Sequence, residues 1–181
     1  MSYLAVHHQS EPVHPEKLLN DVADIAATLA PLGVRFERWE ACAPLLPGAA
    51  PEEVIAAYRP QIDQLMAEEG YVTVDVVSLT RDHPQKAELR AKFLSEHTHG
   101  EDEVRFFVGG RGLFSLHVGE RVYCVLCEKG DLISVPAGTP HWFDMGEEPH
   151  FMCIRLFNNP EGWVAQYTGD AIADEFPRLE P

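Results

Sequence analysis

The sequence predicts a mainly β protein, a barrel or jelly roll of short antiparallel strands with helices packed against it from the N-terminal side. Three observations carry this. From Tyr71 onward the chain runs in β-branched, alternating stretches such as YVTVDVVSLT, the period-two pattern of strands with one buried face. Gly109, Gly110, Gly112, Gly119, Gly130 and Gly138 punctuate further closely spaced stretches of this kind, as turns do in an all-β sandwich or barrel. Before Tyr71 the apolar spacing is helical instead.

Taken in order, Pro15 to Leu29 places Leu18, Leu19, Val22, Ile25, Ala26 and Leu29 at helical spacing, with Pro15 in a first-turn position and Gly33 beyond the end. RFERWEA is a candidate short strand, and ACAPLLPGAAP a proline-rich connection. The segment from Pro51 to Gly70 opens with two acids that suit a helix N-terminus. Pro60 inside it predicts a kink or two short helices. After the strand from Tyr71, Pro84 to Leu94 reads as one short helix. EVRFFVGG, RGLFSLHVG, RVYCVLCEKG, DLISVPAG and HFMCIRLFN are then five strand candidates, with VGERV a tight hairpin between two of them. The expected organisation is one domain: a helical region over 1–70, a barrel over 71–158 and an acidic tail over 159–181 whose last residues are mobile.

At 181 residues and 45% hydrophobic composition, such a domain buries about 70% of its extended-state surface. It needs no metal or disulfide to fold, so a bound metal would serve chemistry. A net charge of −15, from 29 acids against 14 bases, argues against nucleic acid or an anionic membrane as partner, since both require a positive footprint. Cys124 and Cys127 match CxxC by letter, yet residues three apart on a strand point to opposite faces; with Cys42 and Cys153 they read as ordinary thiols. MSYLAVHHQSEP lacks the basic and apolar regions of a signal peptide, and no stretch is apolar for long enough to span a bilayer. The expected setting is a reducing cytoplasm.

The chemistry concentrates in HTHGEDEVRFFVGG. His97, His99 and Glu103 are separated by even numbers of residues, so an extended chain projects all three to one face. PAGTPHWFDM holds His141 at the end of a turn stiffened by Pro136, Gly138 and Pro140, beside Trp142 and Phe143 rather than charges. Three neutral imidazoles and a carboxylate suit Fe, Ni, Mn, Zn or Cu, and amount to the two-histidine, one-carboxylate iron triad with one histidine added. Arg105 and Phe107 share the parity of Glu103, which points both inward. His7, His8, His14, His83, His117 and His150 lack ligand spacing.

These residues carry a resemblance. HxH, three residues, E, six residues, G is the first cupin motif, present as His97, His99, Glu103 and Gly110. Gly130, five residues, Pro136, Gly138, two residues and His141 match the second. Met145 stands where that motif closes with asparagine, and Ala91 where a glycine precedes the first; neither departure touches a candidate ligand. Within the cupins the chain resembles the bacterial acireductone dioxygenases almost end to end, including the N-terminal helical third and GWVAQYTG. The resemblance implies a cytoplasmic, usually monomeric enzyme of methionine salvage, with one Fe(II) or Ni(II) held by His97, His99, Glu103 and His141. Its small-molecule substrates would be O2 and an acireductone with a methylthio tail.

The resemblance also implies roles for Arg105 in favouring the doubly deprotonated substrate, for Glu96 in metal loading and for Asp102 in coupling the site to its surroundings. For Arg105 a salt bridge to one of the acids is the competing reading. Arg155, in the apolar run CIRLF, either binds substrate or pairs with a structural acid, because an unpaired charge there is costly. Phe93, Phe143 and Trp163 are candidates for the apolar wall around the substrate tail. Two rival functions share the ligand set: another metal-dependent cupin enzyme, an isomerase or different dioxygenase, and a cupin that binds a small molecule without turnover.

Overall fold

A computed structural model describes residues 1–159 and 164–180. β1 (Tyr3–His8) and β2 (Lys17–Leu19) open the chain, followed by α1 (Val22–Leu29) and β3 (Arg35–Arg38). α2 (Pro51–Ala57) and α3 (Arg59–Glu69) precede β4 (Thr73–Leu79), and α4 (Lys86–Leu94) precedes β5 (His97–Thr98). Then come β6 (Glu103–Val118), β7 (Arg121–Glu128), β8 (Asp131–Val135), β9 (His141–Asp144), β10 (Phe151–Phe157) and β11 (Gln166–Tyr167).

The stretches EVRFFVGG and RGLFSLHVG, expected as two strands, form the single strand β6. Its first half pairs with β8 and β10, and its second half with β7 and β9. Between the halves Val108 is bulged, since Cys153 faces Phe107 while the preceding Met152 faces Gly109. Gly110 follows at φ 64°, where a side chain would overlap the carbonyl of His150. The bend lets one strand serve two sheets, β3-β8-β6-β10-β4 and β11-β5-β9-β6-β7-β1-β2. Among the described residues β2, β3, β4 and β11 each pair on one side only, so the architecture is a jelly roll whose ladder does not close into a cylinder.

Strand parity sorts the core. Phe107, Phe114, Leu116, Phe143, Phe151 and Cys153 pack between the sheets. Val104, Phe106 and Val108, on the other face of β6, meet Tyr58, Ile62 and Leu65 of the α2–α3 region, which covers the first sheet from outside. Cys127 lies in the inner cluster and Cys124 in an outer one, the opposite facing that their spacing requires. The second helical segment breaks at Tyr58, and Pro60 falls in the first turn of α3.

Three expectations are corrected. Tyr3–His8 is a strand, paired along β7 and back onto Lys17–Leu19. Leu18 and Leu19 therefore belong to a hairpin, and α1 starts only after Asp21, whose side chain accepts from Asp24 N at 3.1 Å. The tail is docked over its described residues 164–180: Ala173 and Phe176 are buried against Trp142 and Leu113, and Leu179 N donates to Asp144 at 2.8 Å. No helix among the described residues is long and apolar enough to cross a membrane.

Candidate metal centre

The turn between α4 and β6 and the turn before β9 bring the candidate ligands together. His97 and His141 face each other in the β5–β9 register, with ring centroids 4.4 Å apart. His99 lies 5.1 Å from each, ring to ring. One nitrogen from each of the three lies within 4.8 Å of the others. Glu103, the first residue of β6, places Oε2 3.2 Å from His99 Nε2 and 3.8 Å from His141 Nε2. All four side chains are buried.

The ring nitrogens facing away are engaged. His97 Nδ1 meets Ser95 O at 2.7 Å, His141 Nδ1 meets Thr139 O at 2.8 Å, and His99 Nδ1 meets Val164 O at 3.2 Å. A carbonyl can only accept, so each Nδ1 carries the proton and each Nε2 keeps its lone pair. His99 Nε2, His141 Nε2 and Glu103 Oε2 are buried without a hydrogen-bond partner. An orphaned buried polar atom costs about 1–3 kcal/mol, and three converging on one point are what a shared cation would satisfy. The donor set fits a borderline transition metal, Fe(II) and Ni(II) included.

Electrostatics prepares the same state. Burial pushes His141 down to about 3 and lowers His97, so both are neutral at ordinary pH. Burial alone would raise the Glu103 carboxyl, but the Arg105 guanidinium overrides it and holds the group well below the usual carboxylate range. Arg105 Nε donates to Glu103 Oε1 at 2.5 Å, and its guanidinium carbon lies 5.2 Å from the Phe114 ring centroid and 5.0 Å from that of Phe143. Arg105 thus faces the interior as its parity demands, and it is salt-bridged to Glu103, the competing reading of this residue.

The remaining candidates separate. Phe143 is central: its ring centroid lies 6.2, 6.2 and 5.9 Å from those of Phe93, Phe107 and Phe114. Arg155 sits opposite Arg105 in the β6–β10 register and is held by both oxygens of Asp75, at 2.9 and 2.6 Å; burial works against its charge, but the Asp75 bond raises its pKa. The structural acid anticipated for Arg155 is therefore Asp75. Glu96 is buried, but its carboxylate turns to His117 Nδ1 at 2.8 Å and Thr168 Oγ1 at 2.7 Å rather than to the three histidines. Asp102 accepts from Ala137 N at 2.7 Å in the turn before His141. Trp163 lies outside the described residues. Sequence reasoning missed Phe114, stacked 5.1 Å from His141, and Asp75; a lone acid in TVDVV carried the same signal as the arginine in CIRLF.

Comparison with known proteins agrees with this geometry. The model of the "ARD/ARD' family" matches residues 5–165. The acireductone dioxygenases of Stutzerimonas stutzeri strain A1501 and Pseudomonas aeruginosa strain UCBPP-PA14 are each 70% identical over 180 residues, 99% of both chains. A solved acireductone dioxygenase from Bacillus anthracis, with a cadmium ion in its active centre, is 30% identical. It superposes with TM-score 0.81 over 92% of this chain and 98% of that one. The convergent buried donors thus occur on a scaffold and a sequence shared from end to end with these enzymes, and the chain belongs to the ARD/ARD' family.

Proposed function

We propose that this protein is a metal-dependent dioxygenase that cleaves an acireductone with O2, using one Fe(II) or Ni(II) held by His97, His99, Glu103 and His141. The observation that carries the reading is the set of three orphaned donor atoms beside a buried, inward arginine. A pure binder has little reason to aim a guanidinium at such a point. When bound, the metal supplies Lewis acidity and open positions for a chelating enediol.

The chain's own groups do the rest. Arg105 holds a fixed positive charge where the substrate oxygens would lie, which favours the doubly deprotonated acireductone. The Glu103 bond and the rings of Phe114 and Phe143 hold it there. Arg155 is fixed by Asp75 on the adjacent strand and adds a second cation on the same face. Phe143 and Phe93 line the apolar side, suited to a methylthio tail, and exclude water from the reacting carbons. Glu96 and Asp102 act from behind the ligands, Glu96 through His117 and Thr168 next to His97, Asp102 through the turn that presents His141. The reading includes the metal-set branch: the Fe form gives formate and the 2-oxo acid precursor of methionine, and the Ni form gives formate, carbon monoxide and methylthiopropanoate.

Anaerobic reconstitution of apo-protein with Fe(II) and separately Ni(II), followed by acireductone and O2, tests this through substrate absorbance and carbon monoxide release. Turnover by both forms, with carbon monoxide from the Ni form only, is expected. Stoichiometric metal binding without turnover would overturn the substrate assignment and leave another cupin chemistry.

A further inference from the structure

Of the three histidines, His97 and His141 take their Nδ1 acceptor from a carbonyl two residues earlier in the same turn. His99 takes its acceptor from Val164, 65 residues away. Its orientation therefore depends on the docking of a peripheral segment, Val164–Thr168. That segment is thin. β11 contributes two residues, paired Gln166 to Thr98 and Tyr167 to His97, and Val164 and Tyr167 are 62% and 54% exposed. A short, exposed edge strand opens easily unless it is pinned.

Two side chains do the pinning. Tyr167 Oη donates to Lys92 O at 3.0 Å, a carbonyl in the last turn of α4 that has no partner further along its own helix. The Tyr167 ring lies 5.8 Å from the His97 ring. Thr168 then donates through N and Oγ1 to Glu96, at 3.2 and 2.7 Å. The clasp joins α4 to the segment that carries the His99 acceptor.

We infer that Tyr167 is a positioning residue for the metal: by fastening Val164–Thr168 to α4 it keeps the His99 ring aimed at the centre and sets how fast the metal leaves. The inference rests on the four-ligand reading above. Without the clasp the segment opens, His99 loses the carbonyl that fixes its tautomer, and its ring turns away while the other three ligands stay in place. Loss of such a partner costs about 10–100-fold in metal affinity.

The test is release of Ni(II) from the loaded full-length protein to excess chelator, for wild type, Tyr167→Phe and Tyr167→Ala. Release should be about 10-fold faster for Tyr167→Phe and up to about 100-fold faster for Tyr167→Ala. Val72→Ala, at an exposed position outside the clasp, should match wild type. A second readout is proton NMR of the Co(II)-loaded protein. One exchangeable imidazole N–H, that of His99, should exchange faster in Tyr167→Ala while those of His97 and His141 persist. Unchanged release rates would overturn the inference. So would equal acceleration of all three N–H signals, which would mean general loosening. If wild type binds no Ni(II) or Co(II), the metal reading itself falls; if it binds and the variants behave as wild type, only the role of Tyr167 falls.

Discussion

Arg105 and Glu103 are each buried and each defined by the other. Removing one partner of such a pair strands the other, which costs about 3–5 kcal/mol. In the metal-free protein Arg105→Met should therefore destabilise by roughly that amount at pH 7, measured by urea unfolding. The sign of the pH dependence follows from Glu103. Its folded pKa is depressed, so its contribution is present above the unfolded glutamate value of about 4.3 and is lost as pH falls below it. In the variant only the weaker pull of His99, His141 and Arg155 still opposes burial, so that pKa is higher than in wild type and the gap between the two proteins should widen from pH 4 to pH 7. A gap independent of pH would show that Arg105 stabilises through packing alone. At this scale the candidate ligands and their convergence were legible, because even spacing and a proline-stiffened turn are local properties of HTHGEDE and PAGTPH. The groups that orient them were not. Val164 O and Asp75 reach their partners across 65 and 80 residues, and no local pattern encodes such contacts.

Elements were legible where apolar residues recur at the spacing of a helix or a strand. α2, α3, β4 and β7 follow their apolar periodicity, and Pro60 marks the start of α3. β1 and β2 were not, because LL within Lys17–Leu19 matches both helix and strand spacing, and tertiary pairing with Leu4 and Ala5 decides it. β6 misled for a different reason. Gly109, Gly110 and Gly112 look like a turn, but all three lie within one strand, where Gly110 and Gly112 serve close approach. At Gly112 a side chain would meet the ring of Phe143, whereas at Gly110 it would meet backbone of His150 and Phe151. The two positions should answer differently. Gly112→Ala should cost about 1–3 kcal/mol by overpacking, and Phe143→Leu should recover part of that loss in a double-mutant cycle. Gly110→Ala should cost more and gain nothing from Phe143→Leu, because backbone cannot yield as a ring can. Equal rescue at both positions would contradict the bend geometry.

At the scale of the whole molecule the jelly roll makes one candidate centre from two separate turns, before β6 and before β9, and the tail returns to support it. The helices packed outside the first sheet were foreseeable, since amphipathic segments need a partner surface. The docked tail was not, because its acidic composition resembles a solvated terminus while Phe176 and Val164 O do the docking. Metal binding should then stabilise the fold as a whole. Saturation at 1,000 times Kd contributes about 4 kcal/mol, and at roughly 2–4 °C per kcal/mol for a chain of this size Tm should rise by about 8–16 °C. The pH range of that rise follows from burial. An ordinary histidine protonates near about 6.5, which would weaken an exposed site by pH 6. Here His141 is pushed down to about 3 and Glu103 is held ionised, so protons compete poorly with the metal at these ligands. Differential scanning fluorimetry with Ni(II) at pH 7.5, 6.5 and 5.5 should show most of the shift retained at the lowest value. Collapse of the shift between pH 7 and pH 6 would contradict the burial that lowers His97 and His141, and with it the buried, preformed centre.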